Sequence, residues 1–155
     1  RLALPKAAIT NSICFSPDGE TMYFTDSPTA QIMACDYDAA TGDVDRIRVF
    51  AELTPGYEPD GSTVDAEGFL WNAEWAASRV VRYAPDGRVD ATIALPSKQP
   101  SCVSFAGPEL DRMVITPAHL AMGATARPFD GALSIGTPPK GPRLPQPPHG
   151  PQVHA

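Results

Sequence analysis

The chain reads as all-β, a β-propeller of which about three four-stranded antiparallel blades are present. Three observations predict this. First, Asn11-Ser-Ile-Cys-Phe-Ser-Pro-Asp-Gly19 and Asp60-Gly-Ser-Thr-Val-Asp-Ala-Glu-Gly68 align without a gap, forty-nine residues apart. Second, short β-forming runs follow each copy in the same order. Third, no segment holds a helical period, and radially repeated four-stranded units every ~40 to 50 residues are the mark of a propeller blade.

The first unit opens on the strand after Asn11, turns at Ser16-Pro-Asp-Gly19 and continues as Thr21-Met-Tyr-Phe-Thr25. Gln31-Ile-Met-Ala-Cys-Asp-Tyr37 follows, then the turn Asp38-Ala-Ala-Thr-Gly42 and the strand Asp45-Arg-Ile-Arg-Val-Phe50. In the second unit Glu58-Pro-Asp-Gly61 reads as an acidic loop ahead of a short strand, with Asp60 stiffened by the preceding proline. Glu67-Gly68 is its hairpin turn, and Phe69-Leu-Trp-Asn-Ala73, Arg79-Val-Val-Arg-Tyr83 and Val89-Asp-Ala-Thr-Ile93 are its strands. The third unit has Ser101-Cys-Val-Ser-Phe105, a turn at Gly107-Pro-Glu-Leu-Asp111, and Arg112-Met-Val-Ile-Thr116, with Ala132-Leu-Ser-Ile135 as a further strand. Residues 117–131 are irregular. The propeller part therefore spans 1–135. In 136–155 seven of twenty residues are proline, which predicts an extended or disordered tail.

A chain of 155 residues is long enough to bury a sizeable core, and 43% apolar residues suit a globular protein. A formal charge of -6 with scattered Lys and Arg argues against nucleic acid. No run approaches the ~18 apolar residues of a membrane helix. Cys14, Cys35 and Cys102 sit in apolar runs and read as small buried hydrophobes in a reducing, cytoplasmic setting. The chain opens on Arg1, too short a lead for a secretory signal, and is expected to be a piece of something longer.

Together these motifs resemble the gluconolactonase/regucalcin/luciferin-regenerating-enzyme family. The match runs through Asn11 to Gly19, Tyr23-Phe-Thr-Asp-Ser27, Asp36 to Gly42 and Arg48-Val-Phe50. It continues through Pro59-Asp-Gly61, Val64 to Trp71, Arg79 to Gly87, Pro100 to Phe105 and Leu110-Asp111, covering roughly residues 9 to 135. The resemblance implies a six-bladed propeller with one divalent metal in its central channel, hydrolysing sugar lactones. It also implies that Asn11 and Asp60 are metal ligands. A glutamate ligand and the Arg and Asn that hold substrate lie, in the family, ahead of the segment matched here. This chain is thus expected to be the C-terminal half of such an enzyme, inactive alone. Its partner would be the missing half or another copy of the chain. Ala76-Ala77-Ser78 replaces a glycine-rich turn usual in the family, a change expected to be tolerated.

The residues themselves support the site. Equivalent positions in successive blades face one axial spot, and Asn11 and Asp60 are such equivalents. An amide oxygen and a carboxylate are hard donors, suited to Ca²⁺ first, with Zn²⁺, Mn²⁺, Mg²⁺ or Fe as alternatives. The third equivalent, Ser101, offers only a hydroxyl. The expected reaction is metal-assisted hydrolysis of an aldonolactone to its aldonic acid, with Asp60 as general base. The alternative is a non-catalytic propeller fragment acting as a binding or calcium-binding module. A third is a propeller hydrolase acting on phosphotriesters. Taken alone, an Asn or Asp ahead of a strand usually caps its own turn. Asp18, Asp65, Glu67 and Asp86 are assigned to turns alone, Glu74 to the blade surface, and Tyr23, Phe24, Trp71 and Trp75 to the core between blades. His119, His149 and His154 show no ligand spacing.

Overall fold

A computed structural model describes residues 6–139. Among the described residues eleven strands form three antiparallel sheets. The first holds β1 (Thr10–Phe15), β2 (Thr21–Asp26), β3 (Gln31–Asp38) and β4 (Asp43–Glu52), in that spatial order. The second holds β5 (Glu58–Val64), β6 (Leu70–Trp75), β7 (Arg79–Tyr83) and β8 (Val89–Ala94), again in chain order. The third pairs β9 (Pro100–Ala106) with β10 (Arg112–Pro117), and β10 with β11 (Ser134–Gly136). These are three consecutive propeller blades, the third with three strands among the described residues. Single 3₁₀ turns occupy Ser27–Thr29 and Gly123–Thr125, and no described helix is long and apolar enough to cross a membrane. The tail expectation lies mostly on residues 140–155, outside the described residues.

The middle blade explains why its sequence runs so apolar. Successive side chains of a strand point to opposite faces, and here both faces are covered. Leu70, Val81 and Tyr83 pack with Tyr23, Ile32, Ala34, Ala51 and Leu53 of the first blade. Trp71, Ala73 and Val80 pack with Val103, Phe105, Met113 and Ile115 of the third. Phe24 is buried on the other face of the first blade, beside Met22 and Cys35, so it is not between described blades. Trp75 belongs to neither inter-blade cluster and is only partly buried.

Four further expectations are corrected. Glu58–Gly61 is not a loop: Asp60 lies inside β5, and Asn11 is the second residue of β1. Glu74 is fully buried, not on the surface, accepting hydrogen bonds from Arg79 Nε at 2.6 Å and Tyr83 Oη at 2.6 Å. Asp65 does more than turn the chain. It is fully buried and accepts from Trp71 Nε1 at 2.9 Å and Arg82 at 2.8 Å, and Arg82 also reaches Glu67 and Asp90. A buried carboxylate is held only where such donors satisfy it, and one residue type in a turn motif does not reveal them. Among the cysteines Cys35 is buried, Cys14 half-buried and Cys102 exposed, which departs from the expected burial.

Candidate metal and lactone site

The innermost strands β1, β5 and β9 lie side by side, and the site is built where β1 and β5 are irregular. Asn11 pairs with Thr25 and Cys14 with Tyr23, so Ser12 and Ile13 together oppose one residue of β2. Pro59 pairs with Glu74 and Ser62 with Asn72, so Asp60 and Gly61 together oppose one residue of β6. Both are β-bulges, a device that re-aims a side chain out of the regular alternation. The two bulges overlap by one residue of the repeat, Ser12 being the equivalent of Gly61; Asn11 stands directly ahead of its bulge and Asp60 opens the other. Asn11 Nδ2 donates to Asp60 Oδ1 across the two sheets.

Buried polar contacts hold the bulges. Asn72, with no exposed surface, donates from Nδ2 to the Asp60 carbonyl at 3.0 Å and to Ser62 Oγ at 2.9 Å. Ser62 Oγ in turn hydrogen-bonds Ser12 Oγ, which joins the two blades beneath the site. Ser27 Oγ donates to the Pro59 carbonyl at 2.8 Å. Gly61 meets the third blade so closely that a Cβ there would stand 2.8 Å from the Ser101 carbonyl and 2.9 Å from Cys102 Cα. Only glycine allows that approach.

Burial raises the Asp60 carboxyl above the ordinary carboxylate range, opposed by hydrogen bonds from Asn11 and the Gly61 amide and reinforced by the charge of Glu58. The two oxygen-bearing groups line a cavity of about 320 Å³ with Ser27, Glu58, Pro59, Trp75, Ile9 and Leu120. A larger cavity of about 440 Å³ lies at the far end of the blades, around the Ser16–Asp18 and Ala66–Gly68 turns, and holds neither residue.

The donor set fits a hard divalent cation in part. Asp60 presents a carboxylate, whereas Asn11 turns its amide nitrogen toward it while Oδ1 accepts from the Ser12 amide at 3.0 Å. Holding a cation between them requires the Asn11 amide to swing its oxygen round. Ser101 does not line this cavity, and its hydroxyl donates to the Thr116 carbonyl at 2.7 Å. Among the described residues no three His, Cys, Asp or Glu side chains form a metal cluster. The structure brings Asn11 and Asp60 into contact, as the repeat equivalence predicts. Sequence reasoning did not place Asn72, Glu58 and Trp75 beside them; the signal for Glu58 was its place two residues before Asp60 on one strand.

The model of the SMP-30/Gluconolactonase/LRE-like region matches residues 1–119. The chain belongs to this family. It is 50% identical over 127 residues to L-arabinolactonase of Azospirillum brasilense, covering 81% of this chain and 41% of the relative. It is 38% identical over 112 residues to pentonolactonase XacC of Haloferax volcanii, covering 71% of this chain and 38% of the relative. Among solved structures, a calcium-binding regucalcin from Agrobacterium tumefaciens superposes with a TM-score of 0.79 at 38% identity, covering 92% of this chain and 51% of that one. A luciferin-regenerating enzyme superposes at 0.71 with 29% identity, covering 89% of this chain and 49% of that one. Against these gluconolactonase-like relatives, the chain spans about two fifths to one half of their length.

Proposed function

We propose that this chain supplies part of the centre of a metal-dependent sugar lactonase, which hydrolyses an aldonolactone to the aldonic acid. The observation that carries the reading is the contact of Asn11 with Asp60 across two sheets, in a family whose named relatives include lactonases. Asn11 and Asp60 would hold the cation, Ca²⁺ first by their hard oxygens. When bound, the cation supplies electrophilic pull on the lactone carbonyl and stabilises negative charge on its oxygen. Asp60 takes a proton from the attacking water at its carboxylate. It returns that proton to the ring oxygen as the ester bond breaks. The bulge contacts from Asn72 and Ser27 keep that carboxylate aimed.

Two protein donors leave the coordination shell incomplete, so further ligands come from outside these residues and the chain alone is inactive. The test is a chimera. Residues 9–135 replace the matching blades of a lactonase relative, and lactone hydrolysis is followed with and without chelator. The chimera is expected to show chelator-sensitive turnover, cut by about 10³-fold or more by Asp60→Ala if metal and base are both lost. Metal-dependent turnover by the 155-residue chain alone, or an unaffected Asp60→Ala chimera, defeats the reading. A calcium-binding module without turnover is the second reading, motivated by the calcium-binding regucalcin it superposes on. That reading requires Ca²⁺ binding in a chimera that never hydrolyses lactone.

A further inference from the structure

The geometry points to a sugar-recognition subsite made by Glu58 and Trp75, distinct from the metal donors and resting on the lactonase reading for its ligand class. Glu58 and Trp75 face each other directly across β5 and β6. Directly opposed residues of an antiparallel pair project on the same face with Cβ atoms roughly 5 Å apart. Both line the same cavity as Asn11 and Asp60. Ile9 and Leu120, 51% and 64% exposed, form apolar wall beside them. The Leu120 segment is tied in place by Gln99, which accepts from the Ala118 amide at 2.8 Å and from the Leu120 amide at 3.2 Å.

The pair has the two features a polyhydroxylated ring requires. An indole is a flat apolar surface with negative faces, against which the C–H side of a sugar ring packs. A carboxylate accepts two hydroxyl donors side by side. Among the described residues the Glu58 side chain makes no hydrogen bond or ion pair, and it lines the cavity beside Asp60. A ring seated on Trp75 with hydroxyls on Glu58 places its carbonyl end toward Asp60 in the same 320 Å³ space. The subsite thus selects hydroxylated lactones over plain ones.

Trp71 is fully buried against Phe105, so Trp75 is the tryptophan that a dissolved ligand reaches. The test titrates the EDTA-treated chain with a pentono-1,4-lactone and with γ-butyrolactone, which has the same ring and no hydroxyls, reading tryptophan emission and calorimetry. The pentonolactone is expected to change the emission and γ-butyrolactone to leave it unchanged. Trp75→Phe abolishes the optical response, and Glu58→Gln, which keeps the size of the side chain, weakens binding about tenfold through loss of charged acceptors. Circular dichroism checks that both variants keep the fold. No pentonolactone binding, equal binding of γ-butyrolactone, or full affinity in both variants overturns the subsite. Ca²⁺ calorimetry on the chimera that supplies the remaining ligands, and on its Asp60→Ala variant, separates this outcome from failure of the metal reading. Sugar binding without Ca²⁺ binding sinks only the latter, and Ca²⁺ binding without sugar selectivity sinks only the former.

Discussion

Glu74 sits with no exposed surface at the end of β6, one residue before Trp75, and its charge is held by Arg79 and Tyr83. Burial, with the Glu74 charge behind it, pushes the Tyr83 hydroxyl well above the usual phenol range, so it stays a donor at any physiological pH. Tyr83→Phe removes that donor and leaves a buried carboxylate oxygen short of one partner. The expected cost is about 1–3 kcal/mol of unfolding free energy, read from the urea midpoint at constant slope. A change under a few tenths of that would show the oxygen is satisfied elsewhere. Ala76 and Ser78 follow at φ 66° and 55°, where the family's glycines would sit without strain. Ala76 and Ser78 thus hold the left-handed region at a conformational cost that glycine would not carry.

At the scale of strands, the bulges and the approach of β5 to β9 decide where the site can be. Gly61→Ala places a methyl against the Ser101 carbonyl and the Cys102 backbone, atoms that cannot turn aside. It is expected to destabilise by about 1–3 kcal/mol, and to displace Asp60, its neighbour, by moving β5 off β9. Thermal unfolding and a crystal structure of the variant check both. The segment after β10 is anchored differently. Asp130 accepts from the Lys98 amide at 2.6 Å and the Arg127 amide at 2.6 Å, and the Lys98 amide foremost lowers its pKa. A carboxylate with a folded pKa below its unfolded value of about 3.9 contributes fully above that value. The contribution is lost as pH falls through the folded pKa. Amide exchange at Lys98 should therefore be slow at neutral pH and become fast, relative to its intrinsic rate, only below about pH 4. In Asp130→Asn the carboxylate is gone, and exchange at neutral pH should already be faster.

For the molecule as a whole, the cation proposed at Asn11 and Asp60 would bridge two blades. Anything that binds the folded state alone stabilises it by mass action. Ca²⁺ at a hundred times its dissociation constant is expected to add about 2.7 kcal/mol to unfolding, and Asp60→Ala to erase the increment. Scanning calorimetry with and without EDTA reads it. A midpoint that ignores Ca²⁺ in the wild-type chain and in the chimera alike removes the bridging role.

By itself the sequence determined the architecture and the pairing of the site. Period-two alternation, turn glycines and a forty-nine-residue repeat are local signals, and they placed most strands to within a residue or two. Repeat equivalence marked Asn11 and Asp60, because the same position in neighbouring blades must face the same axis. The partners of the buried charges were decided only by tertiary structure. Glu74, Asp65 and Arg82 carry the same letters whether they face water or each other, and burial follows from which sheets stack. The bulges that aim Asp60, the glycine contact with the third blade, and the Glu58–Trp75 pair likewise arise from register. Register is a relation between strands, and no single strand records it.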